Sequence, residues 1–268
     1  MHVARHAIPL DRARRALDNA MFSLQLAVKR LKNNDLSDLT LVPADAVAAA
    51  AAASVLELAE PRASTMIRLA ARAGGALWAL ADGHGAGVDL VLEDGPVRVQ
   101  GEIDPSNCDG FAWLRAFWLA TLVRQTEICD LLLATSMELV GPPRHTQQFE
   151  LHWIEALRCR HRGQDPAPEL RRALEATREG ATELDDDWVS AIERPRIVVA
   201  SHIIHGNTAA ADEALHTAYE KHRTYWASPS RVDHDDGWLS IPLAALTLMA
   251  RDAGMTLETT SDYAPDVG

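Results

Sequence analysis

The sequence predicts a mainly α-helical protein, a single array or bundle of many helices with one small β-hairpin. Over most of the chain, apolar residues recur at steps of three and four, which is the spacing of a helix that buries one face. At residues 88–99 this pattern changes to two short β-branched runs around an Asp-Gly turn. With 47% hydrophobic and 24% charged residues, the 268-residue chain can also bury a sizeable core.

Two helices are predicted in the first 60 residues. Residues 11–32 carry an apolar stripe, and Asp11 is expected to accept hydrogen bonds from the free backbone N–H groups at the start of that helix. The second helix is predicted over residues 43–60, where alanines favour helix and Pro61 blocks its continuation. Close packing against other helices explains its alanine block better than any chemistry does.

A third helix and the hairpin follow. The helix is predicted over residues 63–81, and we expect another backbone to approach closely at its glycine pair, Gly74 and Gly75. Residues 88–92 and 96–99 then predict the two antiparallel strands. Because one hairpin is only marginally stable alone, it should lie against the helices.

In the second half, apolar stripes alternate with Gly and Pro breakers. Helices are predicted over residues 111–124, 128–139, 149–157, 168–179, 185–193, 208–226 and 240–252. The helix at 185–193 is expected to end before Pro195, and the apolar segment 197–204 could be a strand or a buried helix, with its position between helices favouring helix. We expect one domain over residues 1–268, and a Pro-Pro connector near 141–145 marks where it would divide, if it divides.

The charge of the chain limits the partners it can have. There are 38 acidic and 26 basic side chains, which give a formal net charge of −12. Nucleic-acid binding is disfavoured, because contacts to phosphates require clustered lysines and arginines. An acidic protein of this kind is instead attracted to basic partners.

The cysteines and the N-terminal segment predict a cytoplasmic protein. Cys108, Cys129 and Cys159 form no CxxC pair, so reduced thiols are the simplest account. No apolar stretch typical of a signal peptide follows Met1, and no segment approaches about 18 consecutive apolar residues, so no membrane association is expected.

No complete active site can be assembled from the sequence. HExxH, GxSxG and SxxK motifs are absent, so we predict no catalytic residue, no metal and no cofactor. His202 and His205 are three residues apart, but a metal site needs three or four converging ligands. The acidic tract at residues 185–187 is better explained by the start of a helix, where carboxylates favour the helix dipole. The tract at residues 233–236 is expected to be a mobile loop, because Ser228-Pro229-Ser230 precedes it and Gly237 follows it.

Short motifs follow one another in order along the last third of the chain. They are Glu193-Arg194-Pro195, Lys221-His222-Arg223-Thr224-Tyr225-Trp226, Gly237-Trp238-Leu239, Pro242-Leu243-Ala244, Asp252-Ala253-Gly254 and Ser261-Asp262-Tyr263-Ala264-Pro265. Upstream, residues 78–81 and 153–157 fit more loosely. This order resembles the immunity-49 family, helical proteins of bacterial polymorphic-toxin systems that protect the producing cell.

The resemblance implies an immunity protein that binds its cognate toxin stoichiometrically and performs no catalysis. Many such toxins attack nucleic acid and must be basic around their substrate groove, so the toxin is expected to be basic and an acidic inhibitor could occupy that groove. The strongest candidates for toxin contact are the acidic residues Asp185, Asp186, Asp187, Asp233, Asp235 and Asp236.

The motif residues themselves are expected to have a structural role. This set consists of His222, Tyr225, Trp226, Ser261, Asp262 and Tyr263. The first three lie on the apolar stripe of their helix, where Tyr and Trp bury a ring and bond through its polar atom. We expect them to pack the C-terminal tail, with Asp262 or Tyr263 as partners.

A second hypothesis comes from a different class of protein. The same scaffold could be an enzyme or a small-molecule-binding protein of a biosynthetic cluster, with a pocket between helices that includes His202, His205 or His222. A deep polar pocket with converging histidines would favour this hypothesis. A toxin partner and a salt-sensitive complex would favour the first.

Overall fold

The computed structural model describes residues 1–58, 62–83, 87–92, 95–104, 107–140 and 146–265. Most of these residues are helical, and their strands form two sheets of two strands each. The predicted mainly α fold is therefore confirmed. Within the described parts of the chain, no helix is both long and apolar enough to cross a membrane.

Long helices and short strands follow one another along the chain. In order from the N-terminus they are β1 (His2–Val3), α1 (Leu10–Lys32), α2 (Val42–Val55), α3 (Arg62–Ala81), β2 (Val88–Leu92), β3 (Gly95–Val99), α4 (Gly110–Leu122), α5 (Thr126–Ala134), α6 (Gln148–His161), α7 (Ala167–Glu175), α8 (Asp186–Trp188), α9 (Arg194–Ile204), α10 (Thr208–Trp226), α11 (Ile241–Asp252) and β4 (Thr260–Ser261).

These elements belong to two compact units. The terminal unit combines Met1–Ile8 with Gln147–Pro265, and the central unit spans Pro9–Thr146. The division predicted near residues 141–145 lies outside the described residues. That the whole chain acts as one domain stays a prediction.

In the central unit, the alanine-rich helix α2 packs against both α1 and α3. Ala49, Ala50, Ala51 and Ala52 are all fully buried, as expected when small side chains let helices approach closely. Helix α2 ends at Val55, earlier than predicted, because the chain turns at Glu57 through a left-handed conformation with φ of 51°.

The glycine pair of α3 lies where two other helices approach. A Cβ atom on Gly74 would lie 2.9 Å from the Cβ atom of Ala116, and one on Gly75 would lie 2.9 Å from Ile128. The expected close approach of another backbone is confirmed at Gly74, whose added Cβ atom would be 3.4 Å from Ala116 Cα, whereas Gly75 meets a side chain. By contrast, Asp11 does not cap α1, because that helix begins one residue earlier at Leu10, and its carboxylate pairs with Arg15 instead.

The hairpin is also confirmed, with β2 and β3 antiparallel and Leu90 opposite Val97. Strand β2 packs against α3, and β3 packs against α1. The predicted Asp-Gly turn falls partly on residues 93–94, which lie outside the described residues.

In the terminal unit, the helical path does not stop at Pro195. A π-helical turn, Val189–Glu193, follows α8, and α9 continues directly from it. In this turn, the N–H of Arg194 bonds to the carbonyl of Val189, five residues back. The predicted end of the helix before Pro195 was wrong, because a wide turn lets the chain pass a residue that has no N–H to donate.

The second sheet joins the two ends of the described chain and was not predicted. Strands β1 and β4 are parallel, with Val3 opposite Ser261. The amino group of Met1 donates to the carbonyl of Glu258 at 3.0 Å. The N-terminal residues are thereby held beside the C-terminal segment within one unit.

Candidate partner-binding surface

Helix α10 is the element around which the predicted site residues gather. The side chain of Asn207 caps its start by accepting from the N–H of Ala210 at 3.2 Å. One face of the helix is buried and consists of Ala211, Leu215, Ala218, Tyr219, His222 and Trp226. The other face carries exposed residues, among them Thr217, Lys221 and Thr224.

His222 lies inside the terminal unit and is 2% exposed. Its Nε2 is 3.1 Å from the carbonyl oxygen of Gly237, which assigns the ring proton to that nitrogen. Burial, with a smaller contribution from the charge of Arg196, lowers the pKa of His222 to about 3. The ring is therefore neutral at physiological pH and closed off from solvent.

Tyr263 meets His222 and also holds the N-terminal segment. Its ring contacts the His222 ring edge-to-face, with centroids 4.7 Å apart, and lies parallel to the Tyr219 ring at 6.5 Å. The Tyr263 hydroxyl accepts from the backbone N–H of His6 at 2.9 Å and lies 2.7 Å from His6 Nδ1. Burial raises the pKa of Tyr263 to about 12, so this hydroxyl stays protonated.

The other C-terminal motif residues bond to the N-terminal segment too. Ser261 Oγ donates to the carbonyl of Val3 at 2.9 Å. Asp262 accepts from the backbone N–H of Arg5 at 3.1 Å and lies 3.2 Å from His2 Nε2. Asp262 therefore bonds to the N-terminal strand, and Tyr263 is the tail residue whose ring meets His222.

Trp226 closes the buried face at the end of α10. Gly237 lies so close to its indole that a Cβ atom there would be 2.4 Å from Trp226 Cδ2. The Trp226 ring is also 5.9 Å from that of Trp188 and 5.7 Å from that of His234, between centroids. Tyr225, which precedes Trp226 in the motif, is only half-buried, and its ring meets that of Trp226 edge-to-face.

The first acidic tract, Asp185 to Asp187, starts the α8 segment and is exposed. Asp185 caps the helix by accepting from the N–H of Asp187 at 3.0 Å, and Asp186 accepts from the N–H of Gly180 at 3.0 Å. The carboxylate of Asp187 has neither a hydrogen bond nor an ion pair within the described residues.

The second acidic tract includes the 3-10 turn Asp235–Gly237. Asp233 and Asp236 are exposed, whereas Asp235 is half-buried. Burial, followed by repulsion from Asp236, raises the pKa of Asp235. Nδ1 of His234 lies 3.6 Å from Asp236 and 3.9 Å from Asp235.

The two acidic tracts meet at the same place in the terminal unit. Trp188 directly follows the first tract, His234 lies within the second, and the Trp226 ring touches both of these side chains. Arg231 makes a further link, since its guanidinium is 3.6 Å from Asp185 and stacks on the Tyr225 ring at 4.0 Å. Sequence reasoning selected the two tracts separately and could not indicate that they adjoin.

A surface groove of about 540 Å³ lies beside the first tract, between the π-helical turn and the exposed face of α10. Its lining residues are Asp187, Ser190, Ala191, His216, Thr217, Glu220, Lys221, Thr224, Tyr225 and Arg231. Sequence analysis selected only Asp187 and Tyr225 among them. The helical period of α10 predicts that Thr217, Lys221 and Thr224 share a face, but not that the π-helical turn lies opposite.

The chemistry-bearing residues do not converge on a metal site in the described parts of the chain, where no group of three or more His, Cys, Asp or Glu side chains could hold an ion. His216 lines the groove, while His222 lies on the buried face of α10 and His205 bonds to the carbonyl of Ser201. The cysteines are unpaired, and burial raises the pKa of Cys108 to about 12, which keeps that thiol protonated.

Comparison with known proteins identifies the family of this chain. The family model described as Immunity protein 49 matches residues 56–267. No curated protein and no solved structure matches the sequence. Because the match covers well over half of the 268 residues, the chain belongs to the Immunity protein 49 family.

Proposed function

We propose that this protein neutralises a cognate toxin by binding it stoichiometrically through the acidic surface formed by its two aspartate tracts. It acts in the cytoplasm, performs no catalysis and requires no cofactor. Membership of a family of immunity proteins supports the general role. The convergence of the two tracts at Trp188, Trp226 and His234 is the observation that supports this particular surface.

The charge distribution supports a basic partner. Residues 179–187 contain five exposed acidic side chains and no Lys or Arg. The terminal unit has 20 acidic and 13 basic residues, against 17 and 13 in the central unit, so the larger negative excess is in the unit that carries both tracts. A toxin that is basic around a nucleic-acid groove would be steered to this surface.

The surface also has the composition of an energetic centre for protein binding. Tyr, Trp and Arg dominate such centres, and Tyr225, Trp188 and Arg231 lie together between the tracts. Exposed carboxylates surround them and would form the polar rim. This arrangement favours a protein partner over a small substrate.

The role is tested by co-expression with the toxin domain encoded by the neighbouring gene. The wild-type protein should restore growth and co-purify with that domain. A variant with all six aspartates of the tracts changed to asparagine should lose both effects, since asparagine keeps the oxygen acceptors of Asp185 and Asp186 but removes the charge.

A matched control neutralises six exposed acidic residues outside the tracts. These are Asp18, Glu127, Asp130, Glu138, Glu213 and Glu258. The control variant should rescue growth as well as the wild type does. Equal rescue by both variants would refute the acidic surface, and no rescue by the wild type would refute the immunity role with this toxin.

A further inference from the structure

We infer that the groove between the π-helical turn and α10 is the specificity pocket of the toxin-binding surface and receives a basic side chain, Lys or Arg, from the toxin. This inference rests on the proposed function and identifies the part of the surface that selects the partner. A volume of about 540 Å³ is enough for one long side chain and the backbone that carries it.

Asp187 supplies the charge that such a side chain would meet. Of the three exposed carboxylates in the first tract, those of Asp185 and Asp186 already accept backbone N–H groups. Asp187 lines the groove, and its carboxylate has no partner among the described residues. An incoming cation would therefore gain an ion pair without breaking one.

The other charged residues of the groove are already engaged. Glu220 pairs with Arg223, and Arg231 lies between the Tyr225 ring and Asp185. The ammonium group of Lys221 is 3.4 Å from the carbonyl oxygen of Ser190 and has no carboxylate within ion-pair distance in the described parts of the chain.

The position of Lys221 follows from the π-helical turn. The carbonyl of Val189 accepts from the N–H of Arg194, five residues on. In the same π-helical pattern, the carbonyl of Ser190 would accept from the N–H of residue 195. That residue is proline and has no N–H to donate. Lys221 donates to that carbonyl instead. The lysine charge in the groove thus serves the fold, whereas the Asp187 carboxylate bonds to nothing within the described residues.

Aromatic and apolar groups complete a binding site for a long basic side chain. The half-buried ring of Tyr225 and the methyl groups of Ala191 and Thr217 line the groove. They can contact the aliphatic stem of a Lys or Arg whose charged end reaches Asp187. Exposed Asp185, which is 3.6 Å from the lining residue Arg231, brings further negative charge close to the groove.

Two neutralising substitutions test the sign of the charge on the occupant. Asp187→Asn should weaken binding of the purified toxin domain at least tenfold, equivalent to about 1.4 kcal/mol, when the dissociation constant is measured by calorimetry. Lys221→Gln keeps a donor for Ser190 and should bind no more weakly than the wild type, because it removes a charge that repels the occupant. The opposite ranking would mean an acidic occupant and would overturn the inference.

A steric pair tests the groove itself. Thr217→Trp fills it from the exposed face of α10, and it should weaken binding at least tenfold. Ala209→Trp places the same side chain at an exposed position of α10 outside the groove and should bind like the wild type. If both Thr217→Trp and Asp187→Asn bind normally, the pocket is refuted while the immunity role stands. If the wild-type protein does not bind the toxin domain, both the pocket and the proposed immunity role with this toxin are refuted.

Discussion

The two faces of α10 contrast in what they carry. The buried face has His222 and Trp226, two of the residues that carry the family resemblance, and it holds together the terminal segments of the chain. The exposed face has Lys221, Thr217 and Thr224, which border the groove. Of these, only Lys221 and Thr224 fall within a motif, and neither was predicted as a site residue.

This difference indicates that the two faces of one helix have different roles, one in building the scaffold and the other, as we propose, in binding the partner. Residues that build the scaffold are constrained by close packing, so their identities leave a recognisable pattern in the sequence. If residues of the exposed face select a toxin, as we propose, they need only suit that toxin, and their identities should follow the partner. A motif can thus report the family without marking the binding site.

Removing the Trp226 side chain is expected to have the largest effect on stability, and it tests the contrast between the buried and exposed faces of α10. Trp226→Ala should lower the free energy of unfolding by about 3–5 kcal/mol, because it leaves a cavity among Trp188, His222 and Gly237. Urea unfolding followed by circular dichroism measures it. Thr224→Ala, on the exposed face, is the matched control and should change stability by no more than about 0.5 kcal/mol. Similar losses in both variants would break the contrast.

A second prediction concerns pH. The folded state holds the pKa of His222 at about 3, well below its ordinary value of 6.5. Between these two pKa values, protons bind His222 mainly in the unfolded state. The contribution of neutral His222 to the free energy of unfolding is therefore complete above pH 6.5, and it is lost as pH falls towards 3, by about 1.4 kcal/mol per pH unit.

The control for this pH effect is His222→Gln, which keeps a donor near the carbonyl of Gly237 and does not titrate. The wild-type stability relative to this variant should fall between pH 6 and pH 4, as measured by urea midpoints at each pH. Taking the difference cancels the carboxylates common to both proteins. Parallel stability curves would mean that His222 can be protonated in place.

The smallest of the three effects is a single added methyl group. Gly237→Ala should cost about 1–3 kcal/mol, because its Cβ atom would overlap the Trp226 indole at 2.4 Å. In a Trp226→Phe background, the same substitution should cost less, since the smaller ring leaves room. A double-mutant cycle by urea unfolding checks this coupling. If the stability losses of Gly237→Ala and Trp226→Phe were additive, the cost of the added methyl group would not come from its overlap with the Trp226 ring.

Much of the fold could be predicted because its signals are local. A stripe at helical spacing identified α10 and its buried face, and Gly74 and Gly75 marked a close helix contact. The sheet of β1 and β4 left no such signal, because its strands are more than 250 residues apart and only two residues long. The π-helical turn was missed because Pro195 usually ends a helix.

The candidate surface was predictable only in part, because only some of its features leave a local signal in the sequence. Charge clustering selected the two aspartate tracts, but their meeting depends on how α10 packs against the segment before α9. The difference between Asp186 and Asp187 depends on a single hydrogen bond to Gly180. No spacing along the chain encodes which of two adjacent carboxylates is left without a partner among the residues that the structure describes.

The pairing of Val3 with Ser261, and of His6 with Tyr263, has a consequence for how the protein is made. At about 5–20 residues per second, translation keeps these partners apart for more than about ten seconds. Val3 and His6 therefore cannot make these contacts until Ser261 and Tyr263 have been synthesised. A chain interrupted before Tyr263 would lack both contacts, so its N-terminal segment should be cleaved by proteases more readily than that of the folded protein.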